Sequence, residues 1–241
     1  MKYLGRKGSS GIYQFIINKI PKHDVYIECF FGTGFISSVK KKAKLNFGIE
    51  ISSALCSKLS MQYLDVDLIN GDVFIELPTL LNSSILSGKN ICIYLDPPYL
   101  HETRTCVDKC RYEYELTIGQ HIQLLSMLEQ ISNKYSNVYI LLSGYKSELY
   151  MSMLPGWNYF ETQCMSRGGK RIESLWCNFN PDNFIKHQYD YVGQNYTDRQ
   201  RIKRKAKNLI KKLSSIDNND ERQYILECIL KEFDLVLHRK L

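Results

Sequence analysis

Short apolar runs alternate with amphipathic stretches along most of the chain after residue 24. Five runs have the length of buried strands: residues 25–29, 45–50, 66–70, 91–95 and 137–144. The stretches between them have helical spacing, and in the longest of these Ile118, Ile122, Leu125 and Leu128 would share one face. Strands that alternate with helices predict an α/β fold with a mostly parallel sheet and crossover helices.

The last third of the chain has a different pattern. Residues 157–164 and 171–179 read as two strands joined by Ser-Arg-Gly-Gly-Lys, and Gly-Gly marks a tight turn, so we expect an antiparallel hairpin at the sheet edge. No strand signal follows Gln194. Thr197 and Gln200 predict a capping box. Two apolar stripes then follow: Ile202, Ala206, Leu209, Ile210 and Leu213, and after a break Tyr224, Ile225, Cys228 and Ile229. We therefore predict a sheet domain over residues 1–193 and a basic helical hairpin over residues 194–241.

Charge changes this picture in the tail. The chain of 241 residues has a net charge of +7 and a pI near 8.9, which favours a polyanionic partner. Residues 199–212 hold eight basic side chains and no acid. The alternatives are a solvated helix face and a nucleic-acid contact, and we favour the contact, through Lys203, Arg204, Lys205 and Lys207, because nothing nearby neutralises the charge. The shorter basic run, residues 40–44, is interpreted as a solvated face.

The composition bears on the cellular location of the protein, the redox state of its cysteines and metal binding. No apolar run approaches the length of a membrane span, and the first residues have no apolar signal-peptide core, so we expect a cytoplasmic protein without a membrane partner. Most of the eight cysteines lie inside apolar segments and are expected to be reduced core residues. Cys106 and Cys110, near His101 and His121, raise the possibility of zinc. Because a C-x3-C pair without a second close pair is a weak signal, we expect no metal.

Acidic residues follow three successive predicted strands. The first strand leads into Phe-Phe-Gly-Thr-Gly-Phe, which is the strand, Gly-x-Gly and helix order of a nucleotide loop, although Ser37 stands where a third glycine would be. Glu28, Glu50 and Asp72 lie at the carboxyl ends of the three strands. Each acid could simply cap the next helix. Together they would face one crevice that repels a pyrophosphate and suits a cationic adenosine ligand such as S-adenosylmethionine.

The fourth strand ends in Asp-Pro-Pro-Tyr, residues 96–99. Prolines cannot donate to a strand ladder, so the tetrapeptide could be no more than a rigid turn. If this strand lies beside the first, the turn is next to the cofactor's reactive end. Asp96 and the carbonyl of Pro97 could then hold both hydrogens of an exocyclic base amine, while Tyr99 stacks on a base swung out of its duplex.

These motifs resemble those of the Dam-like DNA adenine-N6 methyltransferases, and especially their short bacteriophage-type members. Glu-Cys-Phe-Phe-Gly-Thr-Gly is similar to the family's glycine loop, and Leu-Asp-Pro-Pro-Tyr is similar to its catalytic motif. Tyr-Leu-Gly-Arg-Lys-Gly resembles the element that touches the methionine end of the cofactor, with Arg6 where a glycine is common. Ser-Arg-Gly-Gly-Lys-Arg-Ile-Glu-Ser-Leu-Trp-Cys-Asn-Phe and the basic tail also resemble phage-type members, so the resemblance spans nearly the whole chain.

The resemblance implies a Rossmann-like class I methyltransferase fold, S-adenosylmethionine as cofactor and double-stranded DNA as substrate, in a bacterial or phage-infected cell. Glu50 would bind ribose, Asp72 the cofactor's adenine, and Asp96, Pro97, Pro98 and Tyr99 the target adenine. The expected cofactor contacts are Tyr3, Lys7, Glu28, Phe30, Gly32, Gly34, Glu50, Asp72, Val73 and Asp96. A restriction-modification role, with a partner nuclease, is left open.

One departure from the family concerns base recognition. Larger members carry a recognition domain between the third and fourth strands, whereas here 23 residues separate Asp72 from Asp96. The loop of residues 101–115, with Arg104, Arg111, Tyr112 and Tyr114, could reach a groove or could be an ordinary surface lid. An RNA adenine methyltransferase and a catalytically idle nucleic-acid-binding protein stay as alternatives. A protein glutamine methyltransferase is disfavoured, because asparagine replaces the residue equivalent to Asp96 there.

Overall fold

The computed structural model describes residues 7–8, 11–103, 113–166 and 169–238, and within 164–166, 169–170 and 234–238 it describes the backbone only. Seven strands form one sheet in this part of the chain. They are β1 (Val25–Cys29), β2 (Leu45–Glu50), β3 (Asp67–Asn70), β4 (Ile91–Leu95), β5 (Val138–Gly144), β6 (Asn158–Ser166) and β7 (Gly169–Cys177). All five early strands predicted from the sequence are therefore present, three of them with the expected bounds.

Eight α-helices accompany the strands in the same described ranges. They are α1 (Ile12–Ile17), α2 (Phe35–Val39), α3 (Ser53–Ser60), α4 (Val73–Leu81), α5 (Ile118–Lys134), α6 (Glu148–Met153), α7 (Tyr196–Ser214) and α8 (Asn219–His238). Three short 3-10 helices add Ser84–Leu86, His101–Thr103 and Pro181–Asn183. The helices α3 and α4 pack against β2, and α5 packs against β5.

The strand order is β3-β2-β1-β4-β5-β7-β6. The first five strands are parallel, and β7 is inserted antiparallel between β5 and β6. The strand order reverses between β1 and β4, and a single antiparallel strand lies near one edge. This arrangement is typical of the sheet in Rossmann-like class I methyltransferases. The expected fold class, a mostly parallel α/β sheet with a terminal antiparallel hairpin, is confirmed.

The core explains why the central strands read as continuous apolar runs. Every residue of β1 and β4 is buried, because strands in the middle of a parallel sheet are covered on both faces. The alternate residues that share one face of these strands, such as Ile27 and Ile93, belong to one apolar cluster that continues through Leu124, Leu128 and Trp176.

The buried face of α5 differs from the expectation. Leu125 and Leu128 are buried as expected, but Ile118 and Ile122 are 61% and 42% exposed. His121 and Leu124 lie inside instead. His121 is tolerated there because its Nδ1 atom lies 2.9 Å from the hydroxyl oxygen of Tyr150. Periodicity alone therefore placed the first turn of this helix on the wrong side.

The chain divides into two compact units, with the boundary between Gln188 and Tyr189. The boundary expected from the sequence lies five residues later. In the second unit, α7 begins after Asn195, whose side chain accepts a hydrogen bond from the backbone N–H of Asp198 at 2.9 Å. The predicted capping box of Thr197 and Gln200 is therefore wrong, and both residues lie within the helix. No residue of α7 is buried, so its predicted apolar stripe is largely exposed.

Candidate active site

The carboxyl ends of β1 and β4 lie side by side. The two strands pair in parallel with Cys29 opposite Leu95, so the residues that follow, Phe30 and Asp96, leave the sheet at the same edge. The strand order reverses at this place, since β2 and β3 extend to one side and β5 to the other. Open α/β sheets bind their ligands in the crevice outside such a switch point. The expected meeting of the glycine loop and the Asp-Pro-Pro-Tyr turn is thus confirmed.

A cavity of about 760 Å³ opens at this edge. Its volume lies within the range of roughly 300–1,000 Å³ that is typical of small-molecule sites. Its charged lining is mostly acidic: Glu28, Glu50, Asp72, Asp96, Glu113 and Glu115, against Lys7 and Lys58. Of the predicted cofactor contacts, Phe30, Gly32 and Val73 also line it, together with Pro98 of the catalytic turn. A wall with this excess of carboxylates favours a cationic ligand over an anionic one.

The loop between β1 and α2 is held in an unusual backbone conformation. Phe30, Gly32 and Gly34 have φ angles of 54°, 55° and 61°, in the left-handed region that favours glycine. The N–H of Gly32 donates to Oε2 of Glu50 at 2.7 Å, so this amide is used by the protein. A Cβ atom on Gly34 would lie 2.3 Å from the ring of Phe31. Gly34 therefore makes room for packing, and it is not among the residues that line the cavity.

Glu28 is a buried acid on the cavity wall. Its Oε2 atom accepts hydrogen bonds from the backbone N–H and the hydroxyl of Ser37, at 2.8 and 2.7 Å. The hydroxyl of Tyr26 donates to the same oxygen at 3.3 Å. Burial raises the pKa of Glu28 to about 7, although these donors act in the opposite direction. Ser37, which stands where a dinucleotide loop has its third glycine, thus anchors this acid.

Glu50 and Asp72 follow β2 and β3 at the same edge. Glu50 accepts from the N–H of Gly32 and, through Oε1, from the N–H of Ser52 at 3.0 Å. Burial raises the pKa of Glu50 above its ordinary value. Asp72 caps α4 by accepting from the N–H of Phe74 at 3.0 Å. The helix-cap interpretation therefore holds for Asp72, which also lines the cavity, whereas the cap of α3 is Ser52 and Glu50 faces the loop.

Asp96 is paired with Lys7. Nζ of Lys7 lies 3.0 Å from Oδ1 of Asp96, and the lysine is 5% exposed. Burial alone would lower the pKa of Lys7, but the carboxylates of Asp96 and Glu173 outweigh it and raise the pKa. Burial likewise raises the pKa of Asp96, with Lys7 acting against it. The ammonium of Lys7 thus lies between two carboxylates, one of which begins the Asp-Pro-Pro-Tyr turn.

Tyr99 is oriented by the same group of side chains. Its hydroxyl donates to Oε2 of Glu173 at 2.8 Å and accepts from Nζ of Lys7. The ring meets the ring of Tyr145 edge-on, with 4.5 Å between centroids. Tyr99 and Pro97 are not on the wall of the main cavity, so stacking of Tyr99 on a target base stays a prediction.

Several expected contacts lie elsewhere. Tyr3, Arg104, Arg111 and Tyr112 fall outside the described residues. Tyr114, from the end of the same loop, does line the cavity and is 45% exposed. The basic residues Lys203, Arg204, Lys205 and Lys207 are exposed on α7 in the second unit.

Glu173 is the residue that sequence reasoning missed. It lies in β7, within Arg-Ile-Glu-Ser-Leu-Trp-Cys, and is 8% exposed. An acid inside an otherwise buried strand needs partners, because burying an unpaired charge is costly. That was the available signal, but the sequence could not name Lys7 and Tyr99 as the partners, since they are 166 and 74 positions away.

The described ranges contain neither a metal-binding cluster nor a membrane-spanning helix. No group of three or more His, Cys, Asp or Glu side chains there could hold a metal ion, and Cys106 and Cys110 lie outside those ranges. Within the same ranges, no helix combines the length and the apolar content needed to span a bilayer.

Comparisons with known proteins reveal similarity in fold but none in sequence family. No protein-family model matches the sequence, and no curated protein sequence does. Many solved structures resemble this chain, and three examples each cover 68% of its length. They are TrmN from Thermus thermophilus (12% identity, 46% of that chain, TM-score 0.45), the 23S rRNA methyltransferase ErmE (10%, 65%, 0.39) and a precorrin-8w decarboxylase from Methanobacterium thermoautotrophicum (13%, 84%, 0.39). This chain thus spans less than two thirds of TrmN and of ErmE. Because the TM-scores are below 0.5, the fold class rests on strand order and direction instead.

Proposed function

We propose that this protein transfers a methyl group from S-adenosylmethionine to the N6 amine of adenine in DNA. The observation that carries the proposal is the position of Asp96, which leaves β4 at the cavity where the glycine loop leaves β1. An acceptor carboxylate beside a cavity of cofactor size is what methylation of a weakly nucleophilic amine requires. The sequence resemblance to Dam-like DNA adenine-N6 methyltransferases supports the same reaction.

The lining of the cavity fits this cofactor. S-adenosylmethionine supplies an electrophilic methyl group on a sulfonium, and it also carries an ammonium. Six carboxylates and two lysines on the wall favour such a cation and disfavour the pyrophosphate of a dinucleotide. Glu50 would accept from ribose hydroxyls, because each carboxylate oxygen can take a second hydrogen bond beyond the one from Gly32 or Ser52. Asp72 and Val73 would contact the adenine of the cofactor. Glu28 and Phe30 would contact the rest of the cofactor molecule.

The catalytic turn would act on the target amine. Asp96 would accept one N6 hydrogen and the carbonyl of Pro97 the other, which draws the nitrogen lone pair out of the ring. Prolines on both sides of that carbonyl fix its direction, so little ordering is left to the moment of reaction. The carboxylate also stabilises the positive charge that the nitrogen gains as its bond to carbon forms. None of these residues forms a covalent intermediate.

The tail would supply affinity for double-stranded DNA. We assign catalysis to residues 1–193 and phosphate contacts to the basic appendage, residues 194–241. Eight basic side chains in residues 199–212 can neutralise phosphates, which carry affinity but no sequence information. Base reading by Arg104, Arg111 and Tyr112 belongs to the same proposal.

The test compares Asp96→Ala with the wild type in two assays. Transfer of labelled methyl groups to duplex DNA that lacks N6-methyladenine should fall by at least about 100-fold, the scale for loss of one preorganised polar group in an active site. Calorimetry should still detect binding of S-adenosylmethionine, because most of the cavity lining is unchanged. Asp65→Ala removes an exposed carboxylate that pairs with Lys42, and it should leave both readouts unchanged.

Three outcomes would overturn the proposal. Substantial turnover by Asp96→Ala would remove the role of the turn. Methylation of structured RNA in preference to duplex DNA would favour the RNA alternative. Absence of cofactor binding by the wild type would favour an idle nucleic-acid-binding protein.

A further inference from the structure

The ammonium of Lys7 meets three acceptors from three different elements. Its Nζ atom lies 3.0 Å from Oδ1 of Asp96 and 3.2 Å from Oε2 of Glu173, and it donates to the hydroxyl of Tyr99. An ammonium has three N–H donors and no acceptor, so these contacts use all of them. In this structure Lys7 therefore holds the catalytic turn, whereas the sequence resemblance gave it to the cofactor.

Glu173 reaches this group because β7 runs against the other strands. Ser174 pairs with Gly144, the last residue of β5, so Glu173 is the first residue of β7 beyond the end of β5. The carboxyl ends of β1, β4 and β5 lie at that edge, since these strands are parallel. Because β7 is antiparallel, its residue Glu173 lies just beyond the end of β5, at the edge where Asp96 leaves the sheet. Its Oε2 atom accepts from both Lys7 and Tyr99.

The charges of the three ionic side chains do not cancel. Asp96 and Lys7 alone would form a neutral pair, which has little attraction for a cation. With Glu173 the group carries a net charge of −1. Methyl transfer moves a positive charge from the sulfonium to the amine nitrogen. The carbon–nitrogen bond forms, the carbon–sulfur bond breaks with its electron pair staying on sulfur, and the nitrogen then releases a proton to water. A net negative group beside that nitrogen stabilises the charge as it arrives.

We propose that Glu173 is a positioning residue for this reaction: it shares Lys7 with Asp96, fixes the hydroxyl of Tyr99, and keeps the catalytic group net negative. The inference rests on the proposed methyl transfer and deepens it, because it names a carboxylate on β7 that controls the acceptor strength of Asp96. Glu173 acts through Lys7 and Tyr99 and is not assigned a contact with either substrate.

The titration of Asp96 reports directly on this arrangement. The titratable groups that interact electrostatically with Asp96 come from several elements. They are Lys7 near the start of the chain, Glu28 of β1, Tyr94 of β4, Tyr99 just after β4, Tyr150 of α6 and Glu173 of β7. Among the charged partners, Lys7 lowers the pKa of Asp96 and Glu173 raises it. Removing one or the other should therefore move this pKa in opposite directions, which a purely structural role of Glu173 would not do.

The experiment measures carboxyl titrations by NMR in protein labelled with ¹³C at the aspartate carboxyls, with Asp96→Asn to assign the signal. Glu173→Gln should lower the pKa of Asp96, Lys7→Met should raise it, and the double variant should fall between the two. In the methylation assay, Glu173→Gln should lower kcat about 10–100-fold, a fraction of the loss expected for a group in direct contact, with KM for S-adenosylmethionine within about twofold. Glu161→Gln, an exposed carboxylate on β6, should change neither readout.

An Asp96 signal that titrates identically in wild type and Glu173→Gln would overturn the inference. The same holds if Glu173→Gln keeps wild-type kcat, or if the double variant titrates like Lys7→Met. Should Glu173→Gln fail to fold, Glu173→Leu takes its place, because it removes the charge without burying a polar amide, and it should lower the pKa of Asp96 in the same way. The NMR readout needs no turnover, so a wild type that methylates no nucleic acid would sink the proposed reaction while leaving the link between Glu173 and Asp96 measurable.

Discussion

At the residue scale, the site depends on the partners that stabilise each buried carboxylate. Glu28, Glu50 and Asp96 are buried or half-buried at one edge of the sheet, and burial raises the pKa of all three. Each is then held by a different kind of partner: Ser37 donates to Glu28, backbone N–H groups donate to Glu50, and Lys7 pairs with Asp96. Within the described part of the chain, Asp96 alone of the three acids forms an ion pair, and Lys7 favours its ionised form, which suits a group that must accept hydrogen bonds.

The titration of Glu28 should make the affinity for S-adenosylmethionine depend on pH. Its pKa near 7 lies above the ordinary value, so in the free protein the carboxyl is mostly protonated at pH 6 and mostly ionised at pH 8. A cationic ligand favours the ionised form, so binding below pH 7 should release a proton. The ionised fraction rises about tenfold between pH 6 and 8, and the affinity for S-adenosylmethionine should rise by about the same factor.

Calorimetry in two buffers of different ionisation enthalpy measures both the affinity and the proton released. Glu28→Gln is the matched control, because it keeps the size of the side chain and removes its titration. Ionisation of the ligand itself affects both proteins and cancels in the comparison. Equal pH dependence in wild type and variant would show that Glu28 does not titrate with binding.

At the element scale, the loop between β1 and α2 depends on Gly34. A Cβ atom there would meet the Phe31 ring at 2.3 Å and the Tyr63 ring at 3.0 Å, in addition to the strain of a φ angle of 61°. Gly88 has a similar φ angle of 68°, but a Cβ atom there would meet nothing within 4 Å. Alanine at Gly88 should therefore cost only the backbone strain of about 1 kcal/mol. Alanine at Gly34 should cost a further 1–3 kcal/mol or so, because the ring of Phe31 must move.

Urea unfolding of the two alanine variants measures the difference between the costs. Because Phe31 lines the cavity and its ring must move in Gly34→Ala, this variant should also weaken binding of S-adenosylmethionine, while Gly88→Ala should not. Equal destabilisation by both variants would mean that the loop relaxes freely and that the packing of Phe31 does not require glycine.

How far the sequence predicts such elements depends on how local their causes are. The bounds of β1, β2 and β4 followed from apolar runs that end in an acid, a glycine loop or prolines, and these signals sit within a few residues of each strand end. The start of α7 did not follow, because Asn195 and Thr197 are both good caps and only the backbone shows that Asn195 is used. The exposed turn of α5 was missed because a tyrosine from α6 makes His121 acceptable in the core.

The candidate site shows the same limit more sharply. The sequence could name Glu28, Glu50, Asp72 and Asp96, because each lies at or just after the carboxyl end of a strand, and parallel strands end at one edge. Glu173 could not be named, because its position depends on the direction and register of β7. Local patterns thus predict which residues the parallel strands present, while a contribution from an antiparallel strand needs the assembled sheet.

At the scale of the whole molecule, the acidic cavity and the basic helix α7 belong to different compact units. The cavity and its carboxylates belong to residues before the boundary at Gln188, and the basic helix α7 belongs to the second unit. The net charge of +7 is therefore unevenly spread, since the cavity wall is acidic and residues 199–212 contain no acid. A phosphate backbone would be held chiefly by the second unit, and the acidic cavity would select the cationic cofactor.

This separation predicts how salt should act on DNA binding. Changing Lys203, Arg204, Lys205 and Lys207 to glutamine removes four exposed charges from α7. If each neutralises one phosphate, the slope of log affinity against log salt should become less steep by up to about 3.6, since each contact contributes about 0.9. Affinity for S-adenosylmethionine should not change, because none of the four residues lines the cavity.

A matched variant removes four lysines of the first unit, Lys22, Lys41, Lys44 and Lys89, and has the same net charge. Fluorescence anisotropy with labelled duplex DNA from 50 to 300 mM salt would separate a helix that contacts phosphates from a general effect of charge: equal slopes for the two variants would leave α7 as a solvated face.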